Sequence, residues 1–338
     1  MEMEFKKNEI KDENKDENLV VVKPLYKKLE IEIDNTLNLD EFYKNKKFSY
    51  KFFNGLNFDG IFQHVIYSHE TEYIIASTIE GNIVILNLNT IQVEKLFKIG
   101  DNDDLNCIAC SSDNKHLVVA TDKNIFFVDV QTLKTEFLNI EQVKDIQYSY
   151  DGKYIAWCSN TVGFYIYHIA SSSIIYKNDK IHAFNLKYSW NNKYIILGGG
   201  CFYFFDLEKM EFVSKINTKS NSILEWSLDN SKIITSSGKT ITIWNLNTNQ
   251  GKKIKIPNIE LIRKCIFLTD QKIIICADNK LLVYNLEKEI IYEIKKIRCD
   301  LITAIFVSQN KNLFFYCPCW GHAGNWIEFM DLKIIRNI

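Results

Sequence analysis

Several things are scarce in this 338-residue chain, and each scarcity removes a class of function. Net charge is nearly absent: 41 basic side chains face 42 acidic ones, for a formal charge of −1. That excludes whole-protein attraction to nucleic acid as the main driver of function. Long apolar runs are missing too. The densest, Tyr194 to Phe205, spans twelve residues and is broken by Gly198-Gly199-Gly200, whereas a membrane span needs about 20. Arginine is down to Arg263, Arg298 and Arg336, at non-equivalent positions, too few to surround a carboxylate as sialidase chemistry requires. Proline occurs three times, beside abundant Ile, Lys and Asn, a compositional bias without functional weight. Nine cysteines lack framework spacing and read as reduced buried thiols. The opening residues, MEMEFKKNEIKDENKDEN, have no basic-then-apolar order, so the expectation is an intracellular protein, cytoplasmic or nuclear, without a membrane span.

What the chain does have is 46% hydrophobic and 13% aromatic content, enough for a large core, and a repeat. An apolar residue followed by Asp, Asn or His recurs at Leu86-Asn87, Val128-Asp129, Tyr167-His168, Phe205-Asp206, Trp244-Asn245, Tyr284-Asn285 and Met330-Asp331. Successive marks lie 42, 39, 38, 39, 40 and 46 residues apart. Each unit parses as four strands. In the third, Val143 to Tyr148, Tyr154 to Ser159, Gly163 to Ile169 and Ser172 to Lys177 are joined by turn residues such as Asp151-Gly152, which suit tight hairpins. Strands such as Ile83-Val84-Ile85-Leu86 are apolar throughout, so both faces need cover. Radially stacked four-stranded sheets supply it. The spacing predicts an all-β, seven-bladed β-propeller of four-stranded antiparallel blades over residues 61–338, after a disordered polar tail (1–18) and an N-terminal extension (19–60). The extension is expected to donate a blade-closing strand near Phe48 to Phe53. Its Leu19-Val20-Val21-Val22 stretch should pack on the propeller or pair with another protein's sheet edge.

The fifth unit, from Ser227 through Asp229, Thr235 and Ser236 to Trp244-Asn245, resembles the WD40-repeat family. The resemblance implies a propeller that docks partners through its loops. The family's Gly-His pair is absent, so its His–Asp–Ser/Thr–Trp hydrogen-bond tetrad cannot be complete, although Asp122 and Asp278 hold the right turn. Two further strings, Ser149 to Trp157 and Gly324 to Asp331, resemble stretches in propeller-type translation initiation factors.

Catalytic and metal chemistry finds little footing. Cys317-Pro318-Cys319 with His322 offers three ligands, cramped by CxC spacing and lacking a fourth. Cys107 and Cys110 should point to opposite faces of one strand. Asp101, Asp103 and Asp104 read as a solvated turn, and the three glycines at 198–200 as a hairpin rather than a phosphate loop. No GxSxG, HExxH or GKS/T is present. The expectation is no enzyme, no cofactor, no metal and no small-molecule substrate.

Interaction candidates remain. Between Gly251 and Arg298 eleven basic residues outnumber six acidic ones. Lys252, Lys253, Arg263, Lys264, Lys295, Lys296 and Arg298 would form a basic sector on blades five and six. The string Leu261-Ile262-Arg263-Lys264-Cys265 lacks the Gly and second Arg of phosphoinositide-binding propellers. Trp190, Trp320, His322 and Trp326 are loop candidates, the last three in or beside a Cys317–Asn325 insertion expected to dock proteins, while Trp226, Trp244, Phe126 and Tyr165 read as core. The function expected is a non-catalytic scaffold in a multiprotein complex. The alternative is an RNA- or ribosome-associated propeller of translation-initiation type that uses the basic sector.

Overall fold

The computed structural model describes residues 19–21, 27–28, 62–67, 73–78, 81–87, 92–100, 105–217, 222–296, 301–308, 313–319 and 328–331. Every regular element among them is a β-strand. Two short strands come first, β1 (Leu19–Val21) and β2 (Lys27–Lys28). Blade one is β3 (Phe62–Tyr67), β4 (Tyr73–Thr78), β5 (Asn82–Asn87) and β6 (Gln92–Lys98). Blade two is β7 (Leu105–Cys110), β8 (His116–Thr121), β9 (Ile125–Asp129) and β10 (Thr135–Leu138). Blade three holds β11 (Asp145–Tyr148), β12 (Tyr154–Cys158), β13 (Phe164–His168) and β14 (Ser173–Asn178). Blade four holds β15 (Asn185–Tyr188), β16 (Tyr194–Gly198), β17 (Cys201–Asp206) and β18 (Glu211–Asn217). Blade five is β19 (Ser222–Trp226), β20 (Lys232–Ser237), β21 (Thr240–Asn245) and β22 (Gln250–Lys255). Blade six is β23 (Ile262–Thr269), β24 (Lys272–Ala277), β25 (Lys280–Asn285) and β26 (Ile290–Lys296). A last sheet contains β27 (Leu301–Ser308), β28 (Leu313–Cys319) and β29 (Glu328–Asp331).

The chain is a β-propeller. The first strands of the seven sheets contact one another in chain order, and β27 returns to β3. The expectation of seven four-stranded blades is corrected to six. The last sheet has three strands among the described residues, and the segment expected to complete it, 48–53, lies outside them. The tail 1–18 and the run 101–104 also lie outside. Leu313–Cys319 is a strand in which Cys317 faces Ala304 and Cys319 faces Leu301, so the expected Cys317–Asn325 loop begins inside a sheet.

The N-terminal extension settles one of its two options. Leu19, Val20 and Val21 pair in parallel with Lys253, Ile254 and Lys255, and Lys27 and Lys28 with Tyr292 and Glu293. Both strands cap the outer edges of blades five and six, making those sheets five-stranded.

The core lies between blades. Ala156, Phe164 and Ile166 of blade three pack with Leu186, Tyr188, Ile195 and Phe205 of blade four. Ile234, Ile241 and Ile254 of blade five meet Cys265, Ile273 and Ile275 of blade six. Second and third strands are largely apolar because both their faces are covered this way, with Ser77, Thr121, Thr235 and Ser236 among the buried exceptions.

The turn between the first two strands of a blade repeats one chemistry. Ser111, Ser149, Ser189 and Ser227 donate their hydroxyls to Asp113, Asp151, Asn191 and Asp229 over 2.6 to 2.7 Å. The next turn position is left-handed, with φ of 58° at Asn114, 68° at Gly152, 56° at Asn192 and 59° at Asn230, a conformation that Gly and Asn tolerate. Asn192 then accepts the Tyr150 N–H of the preceding blade at 2.7 Å, and Asn230 the Trp190 N–H at 2.7 Å. One residue type both makes the turn and joins two blades.

Candidate functional site

Inner-strand positions that face one another around the ring hold polar side chains in otherwise apolar units. His64, Cys107, Asp145, Asn185 and Lys264 lie opposite Ser77, Ala120, Cys158, Gly198 and Cys276 in their respective hairpins, which makes them equivalent positions. Two residues further along their strands come Lys187 and Glu225. Lys187 Nζ sits 3.5 Å from Glu225 Oε2, joining the inner strands of neighbouring blades four and five. Lys187, Lys264 and Tyr150 keep water-accessible surface although protein crowds them on nearly every side, as it does for groups that line a narrow central channel.

The charges respond to that setting. Glu225 holds the Lys187 ammonium above the usual lysine range against the opposing cost of burial. Burial lowers Lys264, and neighbouring Lys187 lowers it further. Burial raises Asp145 to about 6 even though its carboxylate accepts the N–H groups of Leu186 at 2.8 Å and Ile146 at 2.9 Å. Burial likewise lowers His64, whose Nε2 is buried without a partner among the described residues. The belt is charge-compensated, and at Leu186 it ties blade three to blade four. Sequence reading missed it, although a signal was there: polar or charged residues at matching inner-strand positions of several repeats.

The anticipated sites fall in different places. Trp190 is half-buried, its indole stacked on Tyr150 with centroids 4.6 Å apart and planes at 17°. Exposed Leu228 occupies the equivalent turn of blade five, so Tyr150, Trp190 and Leu228 form a series on one face around the channel. The described members of the expected basic sector lie at different places. Lys264 is among the charged groups of the inner strands, near Lys187, Asp145 and Glu225, whereas Lys252 and Lys253 lie on the outer strand of blade five, where Lys252 pairs with Glu289 and Lys253 faces Leu19. Arg263 is exposed on the inner strand of blade six. Lys295 and Lys296 lie on outer strand β26. Arg298, Trp320, His322 and Trp326 lie outside the described residues. No cluster of three metal-ligating side chains occurs among the described residues, and no helix there is long and apolar enough to cross a membrane.

The aromatic assignments hold for Trp226, Trp244 and Tyr165, which are buried, while Phe126 is half-buried. Cys107 is buried and Cys110 less so; burial raises both thiols, Cys110 to about 12. Gly198 to Cys201 is the expected hairpin. The interrupted tetrad survives in pieces. Trp244 donates its indole N–H to Thr235 Oγ1 at 3.2 Å, and Asp278 accepts the N–H groups of Glu260 and Leu261 at 2.7 and 2.9 Å.

The family model Eukaryotic translation initiation factor eIF2A matches residues 102–258. That stretch runs through blades two to five and contains Asp145, Lys187, Glu225 and the Tyr150–Trp190–Leu228 series. It also contains the string Ser149 to Trp157, whereas Gly324 to Asp331 falls beyond it. No curated protein matches the chain.

Proposed function

We propose that this protein is a cytoplasmic, WD40-like propeller of translation-initiation type, which associates with ribosomes or their RNA without catalysing a reaction. The family match over blades two to five carries this reading, and it favours the ribosomal alternative over a scaffold of unspecified complex. The interlocked turns support it physically, because blades pinned to one another present fixed loops rather than a closing cleft. Exposed groups at both ends of the inner strands would supply the contacts, with Arg263 at the start of β23 as a phosphate-facing cation and the Tyr150–Trp190 stack, in turns at the opposite strand ends, as an anchor. No cofactor or small-molecule substrate enters the scheme.

The test is sedimentation of the tagged full-length chain through sucrose gradients of lysate from its native cell, at about 100 and about 400 mM salt. Co-migration with ribosomal subunits at low salt, weakened at high salt and by Arg263→Glu, supports the proposal. A chain that stays off the ribosome at both salts, yet keeps a stoichiometric protein set at high salt, would establish a scaffold outside translation.

A further inference from the structure

The outer strands of the six complete blades are not alike. Each is an edge whose outward N–H and C=O groups can template another strand. Four carry a β-bulge, at Ile85/Leu86, Ile166/Tyr167, Phe204/Phe205 and Leu281/Leu282 of the pairing with the third strand. A bulge disfavours a long added strand without excluding a short one, as the two-residue β2 beside the bulge of β26 shows. Only β10 and β22 among the described outer strands run in regular register. The chain covers β22 itself, through Leu19–Val21, whereas no described strand pairs with the outer side of β10.

The regular open edge also carries the most exposed aromatic. Phe137 of β10 is 59% exposed, more than any other large apolar side chain among the described residues. The preceding turn holds Leu133 at φ 58° with its side chain 42% exposed. A leucine in the left-handed region costs energy that burial here does not return. Around them Lys123 and Lys134 are offset by Glu136 and Glu141, all exposed. Such a balanced rim gives a phosphate backbone nothing to bind and suits a polypeptide.

We propose that the outer edge of blade two, Thr135–Leu138, accepts an extended strand of another protein. The incoming strand lies parallel to β10, as Leu19–Val21 lies on β22, and sets an aliphatic or aromatic side chain against Phe137. Main-chain hydrogen bonds provide affinity, and the Phe137 contact provides selectivity. This surface is independent of the ribosomal reading and would stand if that reading failed.

A synthetic peptide of the chain's own residues 18–23, Asn-Leu-Val-Val-Val-Lys, serves as the probe strand against the full-length protein. The expected result is saturable peptide anisotropy together with about tenfold slower amide exchange across Thr135–Leu138. Phe137→Lys abolishes both, and Phe137→Ala weakens both, while circular dichroism and melting stay unchanged. Absence of protection at Thr135–Leu138 overturns the proposal, as does protection confined to Gln250–Lys255. Concentration-dependent self-association that Phe137→Lys removes would make a second copy the occupant and overturn the assignment to another protein.

Discussion

Trp190 donates its backbone N–H to the side chain of Asn230 in the following blade, at 2.7 Å. Asn230 reaches it because its own φ of 59° swings the side chain back across the inter-blade seam. Asn230→Gly preserves that backbone conformation and deletes the acceptor. It should cost about 1 to 2 kcal/mol, the range for leaving a shielded donor unpaired, read as a lower urea midpoint at constant slope. Blade three offers the converse. Gly152 occupies the same position, and a side chain there would meet Ser112 Oγ at 3.3 Å. Gly152→Asn should restore the missing link and raise stability by about 0.5 kcal/mol or more. A loss of stability in that variant would mean that Ser112 cannot give way.

Trp244 lies over Gly251, where an added Cβ would fall 2.7 Å from two indole carbons. Gly251→Ala must therefore push the indole off its seat and stretch its bond to Thr235. The expected cost is about 1 to 3 kcal/mol, as for other overpacked cores. On a Trp244→Phe background the same Gly251→Ala change should cost less, because the crowding indole carbons are gone. Thermal melts of Gly251→Ala on both backgrounds settle the order.

The blades were legible from sequence because each repeats a turn whose residue types are dictated by φ: the Ser-x-Asp/Asn step and the Asn or Gly after it. Blade three shows how closely, with Asp145–Tyr148, Tyr154–Cys158, Phe164–His168 and Ser173–Asn178 found where four strands were expected. What escaped were properties that depend on radial position. Arg263 and Lys264 are neighbours in sequence, yet Arg263 falls at the irregularity between Ile262 and Lys264 in β23, while Lys264 is among the charges of Lys187, Asp145 and Glu225. Lys252 lies at the far edge of its own sheet and is neutralised by Glu289, 37 residues on. A charge count along the chain does not register such differences among the described members of the expected sector. The parallel pairing of Leu19–Val21 with β22 was equally hidden, since an apolar tripeptide does not specify which of several edges it will cover.

Asp145 should give folding a measurable pH dependence. Its carboxyl is raised from 3.8 to about 6 by burial, so the native state holds a proton that the unfolded chain releases. Stability from this group is greatest below pH 3.8, falls as pH rises through the window up to about 6, and stays reduced above it. Asp145→Asn keeps an acceptor for Leu186 without the buried charge. The difference in stability between pH 4.5 and pH 7.5 should therefore shrink in Asp145→Asn relative to the wild type, across the ~2-unit window that the raised group opens. An identical pH profile in both proteins would show that Asp145 is hydrated enough to titrate normally.

The two channel lysines should respond in opposite ways to mutation. Lys187 has Glu225 at 3.5 Å, and Glu225 also accepts the N–H of Trp226 at 3.3 Å. Lys264 has no hydrogen bond or ion pair among the described residues, and its ammonium is disfavoured by burial and by Lys187. Glu225→Gln removes the ion-pair partner of Lys187, leaving Asp145 as the remaining carboxylate near both lysines, and should destabilise by about 1 to 3 kcal/mol, below the value for a fully buried pair because Lys187 retains contact with water. Lys264→Met removes a charge that already sits poorly, so at pH 7 it should be neutral or stabilising. Because the native state lowers that ammonium from 10.5, the wild type recovers its deficit as pH climbs toward that value, and the advantage of Lys264→Met should narrow there. Equal losses from both substitutions would mean that Lys264 is as well paired as Lys187, through a group that neutralises it in the channel.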